Sequence, residues 1–126
     1  MPRHLFPLFL LLLWCPQGLA EDCESGAANM AEVRACLDRQ NENEVQSAYS
    51  ALLSKVKVHA PESASALETA QASWQQFAGD SCNFYSAFNA EDSNPADLQV
   101  NCWADFSKAR VKVLNAWERQ LDKRQQ

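Results

Sequence analysis

Four cysteines constrain the fold of this chain more than any other feature. They are Cys23, Cys36, Cys82 and Cys102, while a fifth, Cys15, lies in an apolar N-terminal segment. An even number of cysteines in a small exported domain indicates two disulfides. Pairing Cys82 with Cys102 and Cys23 with Cys36 suits the spacing, and so do pairings across helices, so the sequence leaves the connectivity open. Because the chain has no C-x-x-C motif, neither a zinc site nor haem attachment is expected.

The N-terminal twenty residues have the pattern of a secretory signal peptide. A short positive start containing Arg3 precedes a run of Leu and Phe up to Trp14, and small residues stand at Gly18 and Ala20. This combination predicts cleavage after Ala20. The apolar run is about half the length of a membrane span. We therefore expect a signal peptide at 1–20, a single domain at 21–126, and a periplasmic or secreted location.

The predicted mature domain is acidic: the whole chain has a formal net charge of −5, and removal of residues 1–20 takes away one basic residue and no acid, which leaves −6. Clustered cations are needed to bind phosphate. The composition therefore argues against nucleic acid, and against a membrane once the signal is cleaved. It favours a basic protein partner, which an acidic surface attracts.

Apolar residues recur at steps of three and four, which predicts an all-α fold of three antiparallel helices. The first helix is predicted from about Met30 to His59, capped by Asn29 with Glu32, and ended by Pro61. The second is predicted to start near 63–65 with a capping box of Ser65 and Glu68, and to extend to about 81. The segment 83–101 is predicted as a polar loop, and the third helix as 102–123.

No catalytic machinery is visible, so the chain is not expected to be an enzyme or to need a cofactor or metal. The only histidine of the domain, His59, stands at a predicted helix end, where it suits the helix dipole. Gln71 and Arg110 interrupt the apolar faces of the second and third helices. Because buried polar groups need partners, we predict a polar clamp between them, with Asp80 or Glu42 as further candidates.

The aromatic residues fall into two predicted groups. Those on the apolar helix faces are expected to be core residues: Trp74, Phe77, Trp103, Phe106 and Trp117. Phe84, Tyr85 and Phe88 stand in or beside the predicted loop, so at least one of them is expected to be exposed and available to a partner.

Several of these residues together resemble the LprI-like lysozyme inhibitor family. The central motif is Leu67-x3-Gln71-x2-Trp74-x2-Phe77-x4-Cys82. The resemblance extends upstream through Cys36 and Tyr49, and downstream through Cys102-x7-Arg110-x3-Leu114. The family usually carries Arg-Asp shortly after the aromatic at Phe77, whereas this chain has Ala78-Gly79 there and Asp80 one place later.

The resemblance implies an exported protein that binds a basic muramidase, such as a lysozyme, and blocks it. We predict that the 83–101 loop presents Glu91, Asp92 and Asp97 to this partner, beside the exposed aromatic residues. One alternative is a periplasmic immunity protein that neutralises a delivered toxin. Another is an envelope structural or stress protein. The oligomeric state is left open.

Overall fold

The computed structural model describes residues 22–126, and the predicted signal peptide lies outside these residues. The domain contains three α-helices, and no strand occurs within 22–126. The helices are α1 (Met30–His59), α2 (Ala64–Phe88) and α3 (Pro95–Arg124), with a 3₁₀ turn at Pro61–Ser63 between α1 and α2. The predicted all-α class is confirmed. None of these helices is long and apolar enough to cross a membrane.

The first helix begins as its sequence predicts. The Asn29 side chain accepts a hydrogen bond from the Glu32 backbone N–H at 3.0 Å, and the Glu32 carboxylate accepts one from the Ala28 N–H at 2.8 Å. The first bond satisfies an N–H group that the first turn of α1 leaves without a partner, and the second holds the residue before Asn29 against that turn. The second predicted capping box is wrong. The chain enters α2 through the 3₁₀ turn, so Ser65 already lies inside the helix.

Consecutive helices run antiparallel, so α1 and α3 run in the same direction. Arg34 in α1 pairs with Asp97 in α3 near one end of the bundle, and Lys55 pairs with Asp122 near the other. The loop between α2 and α3 and the start of α1 therefore lie at the same end. We call this half of the molecule, residues 22–44 and 77–109, the cysteine end.

The aliphatic core lies mainly in the other half. It consists of four α1 residues with one residue each from α2 and α3: Val45, Ala48, Leu52, Val56, Leu67 and Leu114. The buried apolar residues of the cysteine end are fewer and mostly small: Cys23, Cys36, Ala78, Cys82 and Val100. Two disulfides hold this end, Cys23–Cys36 and Cys82–Cys102. Covalent links thus stabilise the half of the bundle that buries little aliphatic surface.

The predicted 83–101 loop is wrong in extent. Helix α2 continues to Phe88 and α3 already begins at Pro95, which leaves only six connecting residues. Asn94 and Pro95, which lie inside the predicted loop, instead start α3. The Asn94 side chain accepts a hydrogen bond from the Ala96 N–H at 2.9 Å, and proline is favourable in the first turn because it needs no N–H partner there.

Candidate functional site

The exposed apolar surface is concentrated on α2 and α3. Within residues 22–126, six of the nine large exposed apolar side chains belong to these two helices. Phe77, Phe84 and Phe88 are separated by seven and four residues, so they share one face of α2. We call these three residues the aromatic stripe. Their exposed fractions are 62, 69 and 75 %, which is far above the value for core aromatics.

Ring contacts order the aromatic stripe. Phe84 stacks on Phe88 with ring centroids 5.7 Å apart, and Phe77 meets Phe106 of α3 edge-on at 5.6 Å. Tyr85 lies beside the stripe and lines a cleft of 340 Å³ with Phe106 and Asp105. The α2–α3 pair therefore presents two aromatic ring pairs, with Asp105 beside the one that contains Phe106.

The expectation that all five helix-face aromatics belong to the core is wrong for two of them. Phe77 is more than half exposed, and Trp117 has 42 % of its surface exposed. Helix α2 packs far more against α3 than against α1. Because α1 does not cover the outer side of the α2–α3 pair, apolar residues on that side remain open to solvent.

The connection between α2 and α3 is held at both ends by asparagine side chains. Asn89 donates from Nδ2 to the Tyr85 carbonyl at 2.8 Å, and Asn94 caps α3. Backbone bonds from Asp92 and Ser93 to the Asn89 carbonyl close the turn. The Cys82–Cys102 disulfide links the helices on either side. Glu91 and Asp92 are both exposed on this short, tied connection.

Asp97 does not share this environment. It lies in the first turn of α3, and its carboxylate accepts a hydrogen bond from Arg34 Nε at 2.6 Å. A negative charge at a helix N-terminus is favourable in itself. The ion pair and the helix position both indicate that Asp97 joins α1 to α3. The three predicted acids therefore divide into a loop pair and a structural residue.

Charge is distributed unevenly along the bundle. Within residues 22–126, the cysteine end carries eleven acidic and three basic residues, whereas the other half carries four acidic and seven basic residues. The aromatic stripe and the α2–α3 connection thus lie at a strongly negative end. A basic protein approaching this domain is steered toward that end.

Gln71 and Arg110 contact each other inside the α2–α3 interface. Arg110 Nε donates to Gln71 Oε1 at 3.0 Å, and both side chains are buried. The guanidinium carbon lies 5.5 Å from the Trp74 ring centre and 5.4 Å from that of Trp117, within range of cation–π attraction. Neither Glu42 nor Asp80 pairs with Arg110, and Asp80 instead accepts a bond from Gln76.

This polar pair is only partly satisfied. Within the described part of the chain, three buried atoms form no hydrogen bond, namely Gln71 Nε2, Ser107 Oγ and Arg110 Nη2. Burial lowers the pKa of Arg110 below its ordinary value. No carboxylate of residues 22–126 pairs with the guanidinium, so its neighbours are Gln71 and the indole rings of Trp74 and Trp117.

Other pKa shifts in the domain have structural causes. Burial, followed by the nearby charge of Glu42, raises the pKa of Asp38. Hydrogen bonds to Glu118 and then to Asp122 raise the pKa of Lys55. Neither shift belongs to a group of three or more potential metal ligands, since no such group occurs within residues 22–126.

Sequence reasoning did not anticipate Phe77 and Asp105 as members of this surface. Phe77 falls on a helix face with the same spacing as core residues, so periodicity alone does not separate it from them. Asp105 could not be assigned to the surface from the sequence, because it lines the cleft beside Tyr85 only when α3 is packed against α2.

Comparison with protein-family models identifies a match over most of this chain. Residues 20–114 match the family described as lysozyme inhibitor LprI. No curated protein and no solved structure matches the chain significantly. Because the family match covers most of the chain, from the start of the domain into the middle of α3, the chain belongs to the lysozyme inhibitor LprI family.

Proposed function

We propose that this member of the LprI family binds a basic, lysozyme-type muramidase and inhibits it by covering its substrate cleft. The surface that binds is the cysteine end, with the aromatic stripe as its centre and Glu91 and Asp92 at its rim. The observation that carries this proposal is the coincidence of exposed phenylalanines with strong negative charge on one end of a domain of an inhibitor family.

Aromatic residues, phenylalanine among them, are enriched in the buried centres of protein–protein interfaces. Phe84 and Phe88 are both more than two-thirds exposed, and their rings stack on each other in the free protein. The acidic residues around them attract a basic enzyme and set its orientation. Together these features supply both an apolar anchor and a charged rim.

Rigidity at the cysteine end lowers the entropic cost of binding. The disulfide Cys82–Cys102 joins α2 to α3 one to two turns from the connection, and Gln99 Nε2 donates to Asn83 Oδ1 at 3.2 Å between the same helices. Glu91 and Asp92 are thus held near the aromatic stripe in the free protein. An inhibitor that covers a cleft benefits from such a preformed surface.

Export is part of the proposal. The two disulfides indicate an oxidising compartment outside the cytoplasm. We infer that residues 1–20 direct the chain there and are removed after Ala20. Mass spectrometry of protein recovered from the periplasm or medium tests this step, because cleavage predicts a mature N-terminus at Glu21.

The first test is a lysozyme inhibition titration. Oxidised protein produced from the full chain is titrated into a basic muramidase acting on cell-wall substrate. We expect stoichiometric inhibition, and we expect the variant Phe84→Ala/Phe88→Ala to bind about tenfold more weakly or worse, because interface aromatics contribute more than about 1 kcal/mol each.

Two controls separate the surface from general effects. Val58→Ala removes an apolar side chain that is 73 % exposed at the opposite end, and it is expected to inhibit like the native protein. Glu91→Gln/Asp92→Asn removes the two charges at the rim and is expected to weaken inhibition, whereas Glu62→Gln/Glu68→Gln makes the same charge change away from the cysteine end and is expected to inhibit like the native protein. Full inhibition by the Phe84/Phe88 variant would contradict the proposed surface, and failure of the native protein to inhibit any muramidase would contradict the function.

A further inference from the structure

Four basic residues share one exposed face of α3. They are Lys108, Lys112, Arg119 and Lys123. Successive members are four, seven and four residues apart, so they fall within an arc of roughly 60° on a helix with 3.6 residues per turn. We call this row the basic stripe. From first to last residue it extends about 22 Å at a rise of 1.5 Å per residue.

The residues of the basic stripe form no salt bridge within residues 22–126, and of the other exposed cations there only Arg39 and Arg124 share this property. Arg34, Lys55 and Lys57 each form a salt bridge, and Arg110 is buried in the polar clamp. No residue of the stripe has an acidic partner within residues 22–126. A domain with an excess of acids therefore leaves four of its ten cations unpaired on a single face.

The basic stripe does not stabilise α3 as a helix. Lys108 and Lys112 are four residues apart, as are Arg119 and Lys123, and like charges at this spacing repel each other on a helix surface. The stripe begins at mid-height and continues to the end opposite the cysteines. Its position keeps it apart from the aromatic stripe and the acidic α2–α3 connection.

We propose that the basic stripe binds a linear polyanion, a polymer with repeated sulfate, phosphate or carboxylate groups such as an anionic envelope or matrix glycan. A row of cations about 22 Å long and one residue wide complements a single extended chain of negative charges. The binding releases counterions from the polymer, which makes it independent of sequence and sensitive to salt. The negative net charge of the chain does not indicate this local cluster of positive charge.

A lipid bilayer fits the stripe less well. Membrane-surface helices place large apolar residues on the face that enters the bilayer, whereas the α3 face opposite the stripe is packed in the bundle through Leu114 and Arg110. Glu118 and Asp122 flank the stripe on one side. A flat anionic surface would meet these acids together with the cations, while a single polymer chain can follow the cations alone.

The inference is independent of lysozyme binding and adds a second surface to the domain. An inhibitor with the muramidase at its cysteine end has the basic stripe free to hold a polyanion. Such a contact would retain the exported protein at an anionic envelope or matrix.

The test is direct binding of labelled polyanions to protein produced from the full chain. Fluorescein-labelled heparin fragments and linear polyphosphate serve as probes, and fluorescence anisotropy is recorded over a range of salt concentrations. We expect saturable binding, and we expect Lys112→Gln/Arg119→Gln to weaken it about tenfold or more and to reduce the slope of log K against log salt by about two.

A charge-matched variant provides the control. Arg39→Gln/Lys57→Gln removes two exposed cations that lie outside the stripe, and it is expected to bind the probes within about twofold of the native protein once the shared loss of net charge is included. Circular dichroism checks that both variants keep their helices. Binding of one probe alone would identify the anionic group that the stripe prefers.

Three results would overturn the inference. The first is no saturable binding of either probe near physiological salt. The second is an equal loss in the stripe variant and the control, which would show only a net-charge effect. The third is binding to phosphatidylglycerol vesicles without binding to the polymers. Muramidase inhibition by the same stripe variant is expected to stay at the native level, so the two proposals fail separately.

Discussion

At the scale of single residues, the buried Gln71–Arg110 pair forms one hydrogen bond but leaves other polar atoms of the same two side chains without partners. One hydrogen bond joins the two side chains, and the indoles of Trp74 and Trp117 flank the guanidinium. Gln71 Nε2 and Arg110 Nη2 nevertheless have no hydrogen-bond partner within residues 22–126. A buried donor without an acceptor costs free energy. The pair therefore favours one alignment of α2 and α3 more than it stabilises the fold.

This balance predicts a strongly non-additive mutant cycle. Arg110→Met and Gln71→Leu are each expected to lower the free energy of unfolding by about 1–3 kcal/mol, because each leaves a buried polar partner alone. The double variant replaces both groups with apolar side chains of similar size and is expected to regain most of that loss. Urea unfolding of the four proteins measures the cycle.

The exposed Gln76–Asp80 bond of α2 is the control for this cycle. Gln76→Ala is expected to change stability by less than about 0.5 kcal/mol, since surface substitutions seldom have larger effects. A double variant that loses the sum of the two single effects would show that Gln71 and Arg110 contribute independently, contrary to this interpretation.

At the scale of helices and their connections, the two disulfides have different tasks. Cys23–Cys36 holds the segment before α1 onto that helix, whereas Cys82–Cys102 joins the end of α2 to the start of α3. Cys82 is completely buried, and few aliphatic side chains surround it at the cysteine end. The α2–α3 disulfide therefore stabilises the half of the molecule that carries the proposed binding surface, where aliphatic packing is sparse.

We predict that the loss of this second disulfide is the more damaging change. Cys82→Ala/Cys102→Ala is expected to lower the free energy of unfolding by about 2–4 kcal/mol and to weaken muramidase inhibition, because the α2–α3 connection loses its tie. The Cys23–Cys36 disulfide closes a shorter loop and ties the segment before α1 to α1 itself, so Cys23→Ala/Cys36→Ala is expected to cost less. Thermal unfolding and inhibition assays compare the two variants, and equal losses in both assays would contradict the assignment.

At the scale of the whole molecule, charge separates along the long axis of the bundle. The acidic excess lies at the cysteine end, and the unpaired cations lie mainly toward the other end. Such a dipole orients the domain as it approaches a charged partner. The aromatic stripe then supplies contacts that form only after this approach.

This division of roles predicts separate kinetic effects. In surface plasmon resonance with a basic muramidase, Glu91→Gln/Asp92→Asn is expected to slow association, and the native association rate is expected to fall as salt rises. Phe84→Ala/Phe88→Ala is expected to speed dissociation instead, because packing contacts act mainly on the lifetime of a complex. Identical changes in association for both variants would show that charge and aromatic contact are not separable here.

Local patterns in the sequence predicted the helical elements well wherever they were strong. The capped start of α1 at Asn29 and its end before Pro61 follow from hydrogen-bond and steric rules that act over a few residues. Across 83–101 the sequence indicated a loop because Asn, Asp and Ser are weak helix formers, although Asn94 and Pro95 are a favourable local start for α3. Pairing of α2 with α3 through Cys82–Cys102 outweighs those preferences and extends both helices.

The sequence by itself determined that this is an all-α, four-cysteine domain, because helical periodicity and an even number of cysteines are properties of the chain alone. Only the tertiary structure decided which cysteines pair, that Asp97 is bound to Arg34, and that Phe77 is open to solvent. Those outcomes depend on which helix faces meet. Residues far apart in the chain make those contacts. The spacing of residues along one helix therefore does not show which of its faces another helix covers.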